Sequence, residues 1–122
     1  DRQVVAVCGD GGFMMNSQEL ETAVRLKLNL ITIIFNDNGY GMIKWKQAAQ
    51  DLSDFALDFN NPDFVMYANS YGATGHRIAS SEELIPTMEK AFTDGGVHVI
   101  DLPIDYSQNT KTLLNDLKQF QN

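Results

Sequence analysis

Two carboxylates stand out in this chain, because Asp10 and Asp37 each occupy a glycine-containing turn at the end of an apolar run. Val4 to Cys8 leads into Gly9-Asp10-Gly11-Gly12, and Leu30 to Phe35 leads into Asn36-Asp37-Asn38-Gly39-Tyr40-Gly41. A strand, a glycine turn and a helix in succession bring unpartnered backbone N–H groups to one point, where an anion can sit. Gly11 and Gly12 lack a Cβ, so a ligand can approach the main chain there. A carboxylate beside a phosphate repels it, and no lysine stands near the first turn to act as a P-loop lysine does. The chain also carries 16 Asp and Glu against 9 Lys and Arg, a net charge of −7. An acidic site for an acidic ligand requires a cation between them, and a Mg²⁺-type ion takes its oxygens from protein, phosphate and water. Neighbouring parallel strands lie about 4.8 Å apart, so acids at their C-terminal ends can share one ion with metal–oxygen distances of about 2.1 Å. Asp10 and Asp37 are the expected pair.

The elements that must position these acids follow from the pattern. The first two apolar runs are the kind buried in a parallel sheet. A helix is expected from Phe13 to about Leu28, with Asn16 and Glu19 as a capping box unless the helix already begins at Gly12. A second follows Gly41, with Met42, Trp45, Ala49 and Leu52 on one face, and residues 51–62 form a polar loop. Asp63 caps a short helix that ends near Gly72, and Gly75 to Ile78 is a short strand. Ser80 opens a helix to about Thr93, with Pro86 imposing a kink or a later start. Val97 to Leu102 is the last buried strand, and Asn109 to Gln121 a terminal helix. Strands alternating with helices give an α/β fold: a doubly wound, mostly parallel sheet with helices on both faces and ligands at the carboxyl ends of the strands.

Composition narrows the function. At 43% hydrophobic and 20% charged residues the chain is ordinary for a globular domain. No basic stripe suits nucleic acid, and no apolar run approaches the ~20 residues of a membrane span. Cys8 is the single cysteine, which excludes an internal disulfide and favours a reducing, cytoplasmic setting. The opening at Asp1, without methionine and directly before a strand, suggests a piece of a longer protein.

Gly9-Asp10-Gly11, 24 residues, then Asn36-Asp37-Asn38-Gly39 closely resembles the thiamine diphosphate fingerprint. Glu19 to Lys27, Asn38-Gly39-Tyr40, Tyr71 to Gly75 and Pro103 to Ser107 extend the resemblance to the C-terminal domain of acetolactate synthases, particularly the FAD-free catabolic type. The resemblance implies that Asp10, the Asp37 side chain and the Gly39 carbonyl hold the Mg²⁺ that carries the thiamine diphosphate. Asp37 departs from the Asn usual at this position in the wider family, which favours the catabolic branch and should sharpen the loss of cofactor on acidification.

By the same resemblance the domain opens further upstream, so this chain is expected to be incomplete. No residue in it would be catalytic: the activating glutamate would come from the N-terminal, pyrimidine-binding domain of a second subunit in a homodimer or homotetramer. The whole enzyme would condense two molecules of pyruvate to 2-acetolactate with loss of CO₂, and the isolated chain would be silent. Anabolic acetohydroxyacid synthase, glyoxylate carboligase and pyruvate oxidase remain alternatives, as does a Mg²⁺-dependent phosphoreceiver of another class.

The cofactor-binding set is thus Gly9, Asp10, Gly11, Gly12, Asn36, Asp37, Gly39, Tyr40 and Met42. Asn36 and Asn38 either shape the turn or touch ligand, and Tyr40 and Met42 either pack on the cofactor or belong to the helix stripe. Trp45 suits a core or subunit interface. His76 and His98 read as structural histidines, Glu19 and Glu21 as solvated, and Cys8 as a small hydrophobe.

Overall fold

Leu30-Ile31-Thr32-Ile33-Ile34 and Val97-His98-Val99-Ile100 are rich in β-branched residues, and they form the two central strands of a four-stranded parallel sheet. A computed structural model describes residues 2–107; the expected terminal helix from Asn109 to Gln121 lies outside the described residues. The strands are β1 (Val4–Gly9), β2 (Leu30–Asn36), β3 (Thr74–Arg77) and β4 (Val97–Pro103), in the order β1-β2-β4-β3. Between them run α1 (Asp10–Met15), α2 (Glu19–Arg25), α3 (Gly41–Ala49), α4 (Phe64–Ser70) and α5 (Leu84–Asp94).

The period of two along each strand divides the core between the faces. Ile34, Val97 and Val99 meet Phe13, Leu20, Ala23, Phe64 and Ala68 from α1, α2 and α4. Ile31, Ile33 and Ile100 meet Ala91, Leu84, Met88 and Phe92 from α5. Phe64 is fully buried and packs edge-on against Phe13, their ring centres 5.6 Å apart, a geometry worth more than burial alone. The parallel α/β architecture with helices on both faces is as the alternation of elements predicts.

Several local expectations change. The single helix from Phe13 to Leu28 is two, because Asn16 (φ −137°, ψ 30°) leaves the helical region and the chain restarts at Glu19. The capping box is therefore not formed: α2 is preceded by Gln18, and no side chain caps it. Of the two outcomes expected for Pro86, the later start is found: α5 begins at Leu84. Pro86 sits in the first turn of α5, after a 3₁₀ turn over Ser81–Glu83, where its missing N–H costs nothing. Asp63 caps α4 as expected, accepting from the Met66 N–H at 3.0 Å, and Gly72 ends that segment with φ 82°. In α3 no residue is buried, and Leu52 lies beyond its end, exposed.

β1 departs furthest from its sequence reading. It is one of the two edge strands of the described sheet, and Val5 and Val7 are 38% and 58% exposed. They lie in register with Ile31 and Ile33, on the α5 side of the sheet but beyond the helix's reach. An apolar run is legible in sequence, whereas its place at an edge depends on strand order.

Candidate functional site

β1 and β2 are neighbours in register, with Gly9 opposite Phe35, so the two acidic turns emerge side by side at the carboxyl end of the sheet. Asp10 and Asp37 line one cleft of about 190 Å³ with Gly9, Gly11, Gly12 and Gly39. Tyr40, Gly41, Met42, Ile43 and Tyr106 complete it. A larger cavity of about 410 Å³ lies at the opposite ends of the strands, near Arg2, Asn29 and Phe92, and has no acid in its lining.

Asp10 is 1% exposed and held from both sides. Its Oδ1 accepts from the Gly11 N–H at 2.7 Å. Its Oδ2 accepts from the Asn38 N–H at 2.8 Å and from the Asn61 amide at 2.6 Å. Asn38 reaches this position with φ 56°, a left-handed conformation that Asn tolerates. The Asp37 carboxyl titrates above the ordinary Asp range, raised first by burial and then by the charge of Asp10. Tyr106 is likewise raised by burial and by both acids. Gly41 permits this crowding, since a Cβ there would collide with the Asp37 carboxylate and approach the Tyr106 ring to 2.9 Å. At Gly11 a Cβ would meet the Tyr40 ring at 2.7 Å.

The backbone donors are distributed differently from the sequence expectation. The Gly11 N–H faces its own neighbour's carboxylate rather than an open seat. The first intrahelical bond of α3 runs from Lys44 N–H to the Tyr40 carbonyl, which leaves the N–H groups of Gly41, Met42 and Ile43 without helical partners. All three residues line the cleft. The positive end of α3 thus faces the two acids.

Asn36 turns away from the cleft: its amide donates to Asp101 at 2.8 Å and its carbonyl oxygen accepts from Asn61 at 3.0 Å. Among the described residues no three of His, Cys, Asp or Glu converge. Two carboxylates in one cleft are oxygen donors of the kind Mg²⁺ takes, and that ion keeps positions for phosphate and water.

The pattern of residues 1–102 matches the thiamine pyrophosphate enzyme family, C-terminal TPP binding domain. The chain belongs to that family. It is 44% identical over 107 residues to the acetolactate synthase of Bacillus subtilis (strain 168), covering 88% of this chain and 19% of that protein. Against the catabolic acetolactate synthase of Raoultella terrigena the identity is 43% over 108 residues, again 88% and 19% of the two chains. Among solved structures, benzoylformate decarboxylase from Polynucleobacter necessarius superposes with a TM-score of 0.79 at 30% identity, over 84% of this chain and 20% of that one. A thiamine diphosphate-dependent 4-hydroxybenzoylformate decarboxylase from Rhodococcus jostii RHA1 gives 0.80 at 27% identity, over 88% and 21%. The chain spans about a fifth of the length of the curated relatives it matches. Membership of the thiamine pyrophosphate family sets the phosphoreceiver alternative aside.

Of the residues singled out in sequence, eight line the cleft and Asn36 stands behind it. Trp45 is partly buried in α3, its indole N–H without a partner among the described residues. Glu19 and Glu21 are solvated, Glu21 pairing with Arg25 at 2.9 Å. His76 and His98 stack with ring nitrogens 3.0 Å apart, and His98 also meets the Gly95 carbonyl. Cys8 is half-buried against the core, and burial raises its thiol. Sequence reasoning missed Asn61 and Tyr106. Neither has a spacing relation to the two motifs, and Asn61 lies 51 residues from Asp10.

Proposed function

We propose that Asp10, Asp37 and the Gly39 carbonyl hold a Mg²⁺ ion that carries the diphosphate of thiamine diphosphate. The observation that carries this reading is the shared cleft: two acids, one buried and one with a raised pKa, face the N–H groups at the start of α3 that have no helical partner. Apart, the acids would repel a diphosphate and the helix end would attract it. With a cation between them, acids, metal and amides act together. Tyr40 and Met42 line the cleft at its open side, and the Tyr106 ring stands beside Gly41.

When bound, thiamine diphosphate supplies the carbanion chemistry for decarboxylation and carbon–carbon bond formation. The proposed whole reaction condenses two molecules of pyruvate to 2-acetolactate with release of CO₂, which the similarity to acetolactate synthases supports. This chain's share is binding and orientation. The proton-moving glutamate is assigned to the N-terminal, pyrimidine-binding domain of a second subunit in a homodimer or homotetramer, in a cytoplasmic setting.

Calorimetric titration of the intact polypeptide with thiamine diphosphate and Mg²⁺ tests the binding claim. Binding should require the metal and should be lost in Asp10→Ala. Metal-independent binding, or unchanged affinity in the variant, overturns it. The structural likeness to benzoylformate decarboxylases favours a second reading, simple 2-oxo acid decarboxylation. Pyruvate turnover giving acetolactate supports the first reading, and benzoylformate turnover giving the aldehyde supports the second.

A further inference from the structure

The Asn61 side chain sits in neither motif, yet it connects both. Its Nδ2 lies 2.6 Å from Asp10 Oδ2, 3.0 Å from Asn36 Oδ1 and 3.4 Å from Asn38 Oδ1. Three acceptors around one atom identify it as the nitrogen. An amide has two hydrogens, and the two shorter contacts take them.

The direction of these bonds is forced from further away. Asp101 is 2% exposed and, as a carboxylate, can only accept. Its Oδ2 is held by Arg77 Nε at 3.0 Å, and its Oδ1 accepts the Asn36 amide at 2.8 Å. Asn36 must therefore point its nitrogen at Asp101 and its oxygen at Asn61. Asn61 must in turn give one hydrogen to Asn36 and the other to Asp10. Arg77 also pairs with Asp63 at 3.3 Å, and Asp63 caps α4 two residues after Asn61. The contacts close a ring: Asn61, Asn36, Asp101, Arg77, Asp63, and back along the chain through Pro62. Every orientation around it is determined, so the Asn61 amide arrives at Asp10 with little freedom left.

We infer that Asn61 is a positioning residue for the metal ligand Asp10, fixing the carboxylate's rotation so that the remaining lone pair of Oδ1 faces the cleft. This rests on the proposed Mg²⁺ role of Asp10 and deepens it. The structural alternative is that Asn61 only shapes the loop that carries it. A metal-ligating carboxylate is commonly oriented by a hydrogen bond from behind, and removing such a partner lowers metal affinity by on the order of 10- to 100-fold.

The test uses the intact polypeptide with thiamine diphosphate, Mn²⁺ in place of Mg²⁺, and electron paramagnetic resonance to count free Mn²⁺. Asn61→Leu preserves side-chain bulk and removes the donor; Asn61→Gln retains an amide on a longer stem. Metal-free melting temperature reports on the fold. The inference predicts Mn²⁺ affinity weakened by on the order of 10- to 100-fold in Asn61→Leu and recovered at least in part in Asn61→Gln. Wild-type affinity in Asn61→Leu overturns it while leaving the Asp10 assignment intact. Equal weakening in both variants overturns it in favour of a loop-shaping role. Absence of Mn²⁺ binding by the wild-type protein overturns the metal reading itself.

Discussion

Asn36, the last residue of β2, and Asp101, within the neighbouring β4, meet at 2.8 Å, an amide donating to a buried carboxylate 65 residues away in sequence. The contact ties the second motif turn to the last strand of the sheet, and Arg77 completes the charge balance from β3. Removing Arg77 leaves Asp101 buried with one neutral partner. Because the Arg77 side chain is itself 50% exposed, the loss falls below that of a fully buried pair. Arg77→Met should cost about 1–2 kcal/mol, measured by chemical denaturation. Adding Asp101→Asn should recover much of it, and equal stability of Arg77→Met and wild type would show that the pair is not needed.

The charge of the site predicts a pH dependence. Burial and then the charge of Asp10 raise the Asp37 pKa above its ordinary value. An acid with a raised folded pKa binds its proton more tightly folded than unfolded, so its ionisation costs stability above that pKa and acidification relieves the cost. In the metal-free protein Asp37→Asn should therefore raise the melting temperature at neutral pH by about 2–4 °C, a modest gain because solvent screens the group. The gain should vanish as pH falls through the Asp37 window. Metal reverses the requirement, since it needs the ionised carboxylate. Mg²⁺ affinity should begin to fall at higher pH in the wild type than in Asp37→Asn, as calorimetry across pH would show. Identical profiles would mean that Asp37 does not ligate.

A third prediction concerns the packing of β3 against α4. A Cβ on Gly75 would lie 2.6 Å from the Val65 main chain, where backbone cannot swing aside as a side chain would. Gly75→Ala should cost about 1–3 kcal/mol by separating β3 from α4. Gly12 has nothing within 4 Å of its Cβ direction and lies in α1, so in the metal-free protein Gly12→Ala should be neutral or stabilise by up to about 1 kcal/mol. Thermal melts of the two variants in parallel check the contrast.

These particulars show what a sequence can carry. β2 and β4 were legible because central parallel strands are apolar on both faces, and the Asp63 cap because it acts over three residues. The pairing of Asp10 with Asp37 was legible because both turns end apolar runs. The break at Asn16, the exposure of β1 and the inward turn of Asn36 were not, since each depends on packing between distant segments. Asn61 is the clearest case: an asparagine in a polar loop, distinguished only by what folding brings against its nitrogen.

The proposed site holds one cation between the turns after β1 and β2. Anomalous diffraction at the manganese edge, from crystals of the intact protein grown with Mn²⁺ and thiamine diphosphate, tests it most directly. A peak about 2.1 Å from carboxylate oxygens of both Asp10 and Asp37 and from the Gly39 carbonyl is expected. A cofactor bound with no peak there, or a peak that touches neither acid, would contradict it.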